Sequence, residues 1–118
     1  MRVLIAADDR DAIMTLGILL RSEGHEVWSA QGALDVADGV RELRPDLVLL
    51  DLALGERSGY EIAAELCREH GRLCPVLVAL AVANAADRNR VEKCGFQHLV
   101  AKPCDSEELL GVLSLVEP

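Results

Sequence analysis

Short runs of apolar residues alternate along this chain with longer segments in which apolar residues recur at helical spacing. Strand-type runs that are bounded by turn residues and separated by helical segments predict repeated strand-helix units and a parallel sheet. Five such units fit, and their predicted strands are Arg2 to Ala7, Glu26 to Ala30, Asp46 to Leu50, Val76 to Ala81 and Gln97 to Ala101. The fourth run is apolar throughout, which is typical of a central strand covered on both faces.

The segments between these strands carry apolar stripes with start and stop signals at their ends. Ser58 is placed to cap the third helix, while Gly24 and Gly71 stop the first and the third. The fourth helix, about Asn84 to Cys94, is more polar, and the fifth begins near Asp105. The stripe residues expected to face the core are Ile13, Leu16, Leu20, Val36, Val40, Leu43, Ile62, Ala63, Leu66, Leu109, Leu110, Leu113 and Val116.

This order of elements predicts an α/β fold, a flavodoxin-like doubly wound sheet of five parallel strands in the order 2-1-3-4-5 with five helices. The chain has 118 residues, the length of one domain, and we assign residues 1–118 to a single domain. A domain of this size buries roughly two-thirds of its unfolded surface, so one full core is possible. Sites in such folds lie at the carboxyl ends of the strands where the strand order reverses.

Composition narrows the class of partner. Hydrophobic residues make up 51% of the chain, yet Trp28, Tyr60 and Phe96 are its only aromatic residues, so we expect an aliphatic core. The formal net charge of −8 argues against a nucleic-acid surface, which needs clustered Lys and Arg. The apolar runs are shorter than the ~20 residues of a membrane span, and the chain opens on a strand rather than a leader. We therefore expect a cytoplasmic protein without membrane or direct nucleic-acid contact.

The cysteines do not follow the spacing of a zinc or redox site. Cys67, Cys74, Cys94 and Cys104 form no C-x-x-C pair in the sequence. We expect four buried, reduced thiols.

Carboxylates follow two of the predicted strands at the point where each strand ends. Asp8 and Asp9 come after the first strand, and Asp51 comes directly after the third. Because these strands are neighbours in the predicted order, the three side chains should converge. Two carboxylates about 4 Å apart repel by about 4 kcal/mol at an effective dielectric of 20, a cost that a divalent cation reverses. Mg²⁺ fits best, because it takes carboxylate oxygens while keeping water and phosphate ligands.

A basic residue follows the fifth strand and should reach the same edge of the sheet. Lys102, which precedes Pro103, can pair with Asp51 or hold a phosphate oxygen. An aspartate can itself act as a nucleophile and become an aspartyl-phosphate. The edge therefore predicts a site for phosphoryl chemistry.

Four short motifs stand in the order and spacing of a known family: Asp8-Asp9, Asp51 with Gly59 eight residues on, Gly95-Phe96, and Lys102-Pro103. On these residues the chain resembles, over nearly all its length, the receiver domains of two-component response regulators in the CheY-like superfamily. The resemblance implies that Asp51 accepts a phosphoryl group from a histidine kinase or phosphotransfer protein. It also implies that the three carboxylates and the carbonyl of Ala53 bind Mg²⁺, while Lys102 contacts the phosphoryl group. Such a chain is a signalling domain rather than an enzyme, with self-catalysed phosphotransfer and dephosphorylation at most.

The chain departs from the family pattern at the positions that report phosphorylation. We align Ala81 with the Thr or Ser that receivers usually carry at the end of the fourth strand, and Leu99 with their switch aromatic. Losing the hydroxyl removes one neutral hydrogen bond, worth about 0.5 to 1.5 kcal/mol. Leu54-Gly55 replaces the frequent Met-Pro, and the glycine is expected to loosen that loop. We expect Asp51 to stay chemically competent while its conformational readout changes.

Three rival functions have different support. A pseudo-receiver that acts as a phosphorylation-independent interaction module is favoured by Ala81 and Leu99. A haloacid-dehalogenase-type phosphatase needs a second acidic residue two positions after the nucleophile, where this chain has Ala53. An FMN-binding flavodoxin needs a phosphate cradle after the first strand, where Asp8 and Asp9 would repel phosphate.

The fourth and fifth helices carry opposite charges. Arg88, Arg90 and Lys93 make the fourth helix basic, while acidic residues from Asp105 onward open the fifth. These are either two solvated faces or, as the resemblance implies, a homodimer surface formed by helix four, strand five and helix five.

Overall fold

The structure is a computed structural model that describes residues 1–55, 57–82, 85–102 and 105–116, with residues 85–88 described by backbone alone. Within these ranges the sheet strands are β1 Arg2–Ala6, β2 Glu26–Ala30, β3 Leu47–Asp51, β4 Val76–Ala81 and β5 His98–Ala101. All four neighbouring pairs are parallel, in the order β2-β1-β3-β4-β5. The predicted flavodoxin-like order is confirmed. β1 and β5 are each one residue shorter than predicted, and β3 is shifted by one residue toward the C-terminus.

The helices are α1 Arg10–Ser22, α2 Ala33–Leu43, α3 Gly59–His70, α4 Ala85–Lys93 and α5 Ser106–Val116. A single 3₁₀ turn, Gly71–Leu73, follows α3, and a two-residue antiparallel ladder pairs Ala53–Leu54 with Arg57–Ser58. Ser58 caps α3 as predicted, since its hydroxyl accepts from the Tyr60 amide at 3.1 Å. Gly71 ends α3 at φ +54, a conformation that favours glycine.

Strand alternation divides the core into two layers. Successive residues of a strand point to opposite faces, so Leu4 and Val48 pack beneath α2, α3 and α4, while Ile5 and Leu49 pack beneath α1 and α5. Nine residues of the predicted stripes are buried: Leu16, Leu20, Val36, Val40, Ile62, Ala63, Leu66, Leu109 and Leu113. Four are partly buried at the edges of these layers: Ile13, Leu43, Leu110 and Val116.

The burial of the cysteines differs from the prediction. Cys67, Cys74 and Cys94 are free thiols as predicted, but they are half-buried rather than buried, because they lie at the edge of the core layer beneath α2, α3 and α4. Arg90, assigned to a basic surface of α4, lies over the ring of Tyr60 in α3, with its guanidinium carbon 4.0 Å from the ring centroid. Arg90 is still exposed, so the basic surface of α4 stays a prediction.

Some predictions fall outside the described residues. They concern Asn84 as the start of the fourth helix, the side chain of Arg88, Pro103 and Cys104. In the described ranges, no helix combines the length and the apolar character that crossing a membrane requires.

Candidate functional site

The period of the strands brings Asp51, Lys102 and Asp9 to one face of the sheet. Asp51 ends β3 two residues after Leu49, which packs beneath α1 and α5. Lys102 lies two residues after Val100 of the same core layer, and Asp9 two residues after Ala7. Because side chains alternate along extended backbone, all three emerge on the α1 and α5 side.

Asp51 is buried and its carboxylate is held from two directions. Only 5% of the residue is exposed. Its Oδ2 accepts from Lys102 Nζ at 2.5 Å, and its Oδ1 accepts from the Ala53 amide at 2.9 Å. The Lys102 amide donates to the carbonyl of Ala81 at 2.8 Å, which fixes the lysine at the end of β5. A buried carboxylate is costly unless it is paired, and this one has a cation and an N–H donor.

The adjacent aspartates serve different partners. Asp9 caps α1, since its Oδ1 accepts from the amides of Asp11 at 2.9 Å and Ala12 at 3.3 Å. Asp8 Oδ2 accepts from the Gly55 amide at 2.5 Å, on the loop that follows β3. Asp9 is therefore held at the start of α1, on the same face as Asp51, while Asp8 is tied to the β3-α3 loop.

A cleft opens beside Asp51 on the α1 side. It has a volume of about 580 Å³ and is lined by Asp9, Asp11, Ala12, Thr15, Leu16, Asp51, Leu80, Val82 and Lys102. Thr15 places a hydroxyl-bearing side chain in this lining that sequence analysis did not single out. Its spacing of four residues from Asp11 puts both on one face of α1, and that periodicity could have identified it.

The loop from Leu52 to Gly59 is anchored by several contacts, contrary to the expectation that Gly55 loosens it. Leu54 is buried, and the residues on either side of the turn form the two-residue ladder. Gly59 comes so close to the end of β3 that a Cβ there would lie 2.7 Å from the Asp51 carbonyl oxygen. Its amide donates to the Leu52 carbonyl at 2.9 Å. Glu56 lies outside the described residues.

The residue of β4 that faces Asp51 is Leu80, not Ala81. Leu80 is the register partner of Asp51 and lines the cleft, whereas alternation turns Ala81 toward the opposite face. The predicted position is thus off by one residue, although Leu80 also lacks a hydroxyl. Leu99 pairs with Ala79 and packs at the edge of the layer beneath α2, α3 and α4.

The donor chemistry of the site fits a hard cation. The polar groups from Asp8, Asp9 and Asp51 are carboxylate oxygens, and Mg²⁺ is commonly held by one or two carboxylates with water and phosphate oxygens. Across the described ranges, no group of three or more His, Cys, Asp and Glu side chains is arranged to hold a metal. A magnesium ion here would therefore depend on few side-chain ligands and on backbone oxygen or water. Ala53, proposed to contribute its carbonyl, is exposed next to Asp51.

Arg57, in the loop that follows β3, forms ion pairs with two glutamates of α3. Arg57 donates to both carboxylate oxygens of Glu65, at 2.5 and 3.1 Å, and to Glu61 at 3.4 Å. The hydrogen bond from Arg57 holds the pKa of Glu65 below its ordinary value, and the same bond raises the pKa of Arg57. The arginine thereby ties the second strand of the ladder to α3.

Residues 3–114 match the family model of the response regulator receiver domain. The chain is 31% identical over 115 residues to the transcriptional regulatory protein PdtaR of Mycobacterium tuberculosis, covering 97% of this chain and 55% of that protein. It is 32% identical over 110 residues to the DNA-binding response regulator MtrA of Mycolicibacterium paratuberculosis, covering 93% of this chain and 48% of that protein. The chain therefore spans about half the length of these relatives.

The fold has close counterparts among solved structures. The chemotaxis response regulator CheY4 of Vibrio cholerae superimposes with a TM-score of 0.89 at 19% identity, covering 98% of both chains. The family match covers Asp51 at the end of β3, Asp8 and Asp9 after β1, and Lys102 after β5. The chain belongs to the response regulator receiver domain family of two-component signalling.

Proposed function

We propose that Asp51 accepts a phosphoryl group from a histidine kinase or a histidine phosphotransfer protein. The observation that carries this proposal is the geometry of Asp51, a buried carboxylate whose Oδ2 lies 2.5 Å from Lys102 Nζ and which opens on a cleft. Receiver domains interact with such kinases and phosphotransfer proteins. The domain acts as a signalling acceptor rather than as a classical enzyme.

The transfer needs a carboxylate nucleophile and compensation for phosphoryl charge. A carboxylate oxygen of Asp51 forms the new P–O bond while the P–N bond of the donor phosphohistidine breaks. The imidazole nitrogen leaves with that electron pair and can then take a proton. Catalysis of phosphoryl transfer is mostly positioning and electrostatic stabilisation, for which the Lys102 ammonium and the Ala53 amide are available.

Receiver domains generally bind Mg²⁺ at the phosphorylation site. In this chain, Asp8, Asp9, Asp51 and the carbonyl of Ala53 would hold the ion, which supplies positive charge next to the transferred phosphoryl oxygens. Asp9 would keep its role as the cap of α1, and Asp8 its bond to the Gly55 amide. Both contacts pre-position carboxylates at low conformational cost. Magnesium binding thus draws on side chains that already stabilise the fold.

We further propose that the readout of phosphorylation is atypical. Leu80 faces Asp51 from β4 and Leu99 stands at the expected aromatic position in β5, so the described β4 and β5 side chains provide neither a hydroxyl nor an aromatic ring there. The loop Leu52 to Gly59 is better connected, through Asp8–Gly55 and the contact of Gly59 with the Asp51 backbone. A change at Asp51 would therefore reach α3 first.

The test is incubation with acetyl phosphate and Mg²⁺, followed by intact mass spectrometry. Wild type is expected to gain one phosphoryl group, and Asp51→Asn none. Asp35→Asn, which changes a carboxylate in α2, is the matched control and should behave as wild type. Removal of Mg²⁺ with EDTA should suppress the gain in both competent proteins. If wild type stays unmodified while a phosphorylatable receiver in the same buffer reacts, Asp51 is not a phosphoacceptor.

The second candidate is a pseudo-receiver that binds a partner without phosphorylation. The observation that favours it is the apolar cleft wall: Leu80 faces Asp51, and Val82 is 76% exposed in the same lining. A partner that binds wild type and Asp51→Asn equally, with no effect of acetyl phosphate, would support this function over phosphoacceptance.

The output of the whole protein is a separate proposal. PdtaR and MtrA are named as a transcriptional regulator and a DNA-binding regulator, and this chain matches about half of each. We infer that residues 1–118 serve as an input module for an output supplied elsewhere, because their net charge of −8 disfavours direct contact with DNA. Residues 1–118 alone should show no retardation of duplex DNA at physiological salt, whereas binding would contradict this division of roles.

A further inference from the structure

Two thiols lie together at the opposite end of β3 and β4 from Asp51. Cys67 is in the last turn of α3, and Cys74 follows the 3₁₀ turn directly before Pro75 and β4. Their sulfur atoms are 3.9 Å apart. Sequence spacing did not predict this pair, because the two cysteines are seven positions apart and lack the C-x-x-C pattern.

The backbone of the turn between them holds the thiols in contact. Gly71 ends α3 and its amide donates to the carbonyl of Cys67. The amide of Cys74 then donates to the carbonyl of Gly71 at 3.2 Å. These two hydrogen bonds fold the chain back at the end of the helix, so that Cys74 is directed to the same side as Cys67.

A third segment encloses the sulfur of Cys67. Gly95, in the turn between α4 and β5, has φ +97, and a Cβ at that position would lie 2.6 Å from Cys67 Sγ. The sulfur therefore occupies space that only glycine leaves open. Cys67 and Cys74 both pack at the edge of the core layer beneath α2, α3 and α4, yet both are only half-buried. A small thiol reagent can thus reach a pair whose geometry is already set.

We propose that Cys67 and Cys74 form a reversible disulfide, a modification site for low-molecular-weight disulfides such as oxidised glutathione. The Cys67 thiolate attacks one glutathione sulfur, and the first reduced glutathione leaves. Cys74 then loses its proton and attacks the Cys67 sulfur of the mixed disulfide, which releases the second reduced glutathione. The protein pair is oxidised by two electrons and the glutathione disulfide is reduced by two. Side-chain rotation has to bring the sulfurs from 3.9 Å to the bond length of about 2.05 Å.

The environment of the pair also affects the order in which the two thiols react. Burial, together with the charge and hydrogen bonding of Cys67, raises the pKa of the Cys74 thiol to about 12. Only the thiolate is a nucleophile, so Cys74 reacts slowly at neutral pH. Once Cys67 is part of a mixed disulfide, it no longer exerts that charge on Cys74, and one cause of the raised pKa of Cys74 disappears. The contact with Cys67 therefore favours stepwise oxidation that begins at Cys67.

The test is oxidation of the folded full chain with oxidised glutathione, followed by alkylation of the remaining thiols. Intact mass should show an oxidised form about 2 Da lighter than the reduced protein before alkylation. Trypsin cuts after Arg57, Arg68, Arg72 and Arg88, so the link should join peptide 58–68 to peptide 73–88. Dithiothreitol should reverse it.

Single substitutions supply the controls. Cys94→Ser should form the link as wild type does, because Cys94 lies outside the pair. Cys67→Ser and Cys74→Ser should each lose the link, and circular dichroism checks that all three variants fold. Two outcomes overturn the proposal: glutathione adducts that accumulate on Cys67 without resolution, or a dominant link to the peptide that contains Cys94 in wild type. Asp51→Asn should leave the link unchanged, so this result is independent of phosphoacceptance.

Discussion

The two ends of α3 are held in different ways. At its N-terminus, Ser58 caps the helix, and Gly59 packs against the backbone of Asp51. At its C-terminus, Gly71 ends the helix, and Cys67 packs its sulfur against the turn at Gly95. The helix has 12 residues, so these ends are roughly 18 Å apart. Both ends are closed by hydrogen bonds. The first end also contacts backbone beside a charged site, whereas the second packs a sulfur atom against a turn.

A glycine leaves room for a close contact near each end of α3, but the atoms that fill this room differ. At Gly59 the atoms that a Cβ would meet are backbone atoms of Asp51 and Leu52, both at 2.7 Å. At Gly95 the atom is the end of the Cys67 side chain. Backbone at a strand end cannot move without displacing the site, whereas a thiol can rotate. The acidic end should therefore tolerate less change.

The largest expected effect is at the acidic end. Lys102→Ala removes the cation that contacts Asp51 Oδ2. Loss of one preorganised electrostatic contact typically costs on the order of 10²-fold in rate, and we expect that decrease in phosphorylation by acetyl phosphate. Time-resolved intact mass measures it, with Lys93→Ala in α4 as the control. The Cys67–Cys74 link should form normally in Lys102→Ala. Loss of both phosphorylation and this link would show that the two ends of α3 do not behave independently.

Gly59→Ala should destabilise the fold by about 1 to 3 kcal/mol, because overpacking against backbone forces a shift of α3 or of β3. Urea unfolding measures the change in free energy. Gly111→Ala is the matched control, since Gly111 lies within α5 with no atom within 4 Å of an added Cβ. That variant should be more stable by about 0.5 to 1 kcal/mol, because alanine loses less entropy in a helix. Equal changes in the free energy of unfolding for Gly59→Ala and Gly111→Ala would contradict the close contact between Gly59 and the Asp51 backbone.

Gly95→Ala should cost about 1 to 2 kcal/mol, from positive φ and from contact with Cys67 Sγ. A double-mutant cycle with Cys67→Ala separates the two causes. The part due to the sulfur contact should disappear when Cys67 is shortened, and the part due to φ should persist. Additive free energies of unfolding would show that Cys67 does not press on this turn.

The smallest effect concerns two exposed ion pairs that α3 forms, one with Arg57 and one with Arg41. Arg57 lowers the pKa of Glu65, and Arg41 lowers the pKa of Glu69, in both cases chiefly by a side-chain hydrogen bond. A carboxylate whose pKa is lowered in the folded state stabilises the fold at pH values above its ordinary pKa of 4.5. That contribution is lost as the pH falls through the lowered pKa.

Glu65→Gln and Glu69→Gln should therefore each have a lower urea midpoint than wild type at pH 7. Near pH 3 the midpoints of the variants and of wild type should converge. Salt should shrink the difference at pH 7, since both pairs are exposed. A difference that persists at low pH would assign the effect to packing instead of charge.

Much of the fold follows from local pattern. Alternation of strand and helix predicted the order of elements, and the cap at Ser58 and the stop at Gly71 were both found in the structure. Charged residues after strand ends predicted that Asp51 and Lys102 would meet, and they do. These features depend on the identity and spacing of neighbouring residues, which the sequence contains.

The face of a strand that each side chain occupies depends on the tertiary structure. A shift of one residue along a strand turns a side chain to the other face. The prediction that Ala81 lies beside Asp51 was therefore wrong by one residue, and Leu80 occupies that position. The same rule sends Asp9 to α1 and Asp8 to Gly55. The periodicity of the sequence does not show which set of alternating side chains faces which core layer, because that choice depends on how the helices pack on the two faces of the sheet.

The order of strands and helices, the edge where Asp51 and Lys102 meet, and the resemblance to the family can all be read from the amino-acid sequence. Three features required the packed structure: the β4 side chain that faces Asp51, the anchoring of the β3-α3 loop, and the contact between Cys67 and Cys74. Local preferences act over a few neighbouring residues, whereas these contacts depend on how separate segments pack against one another.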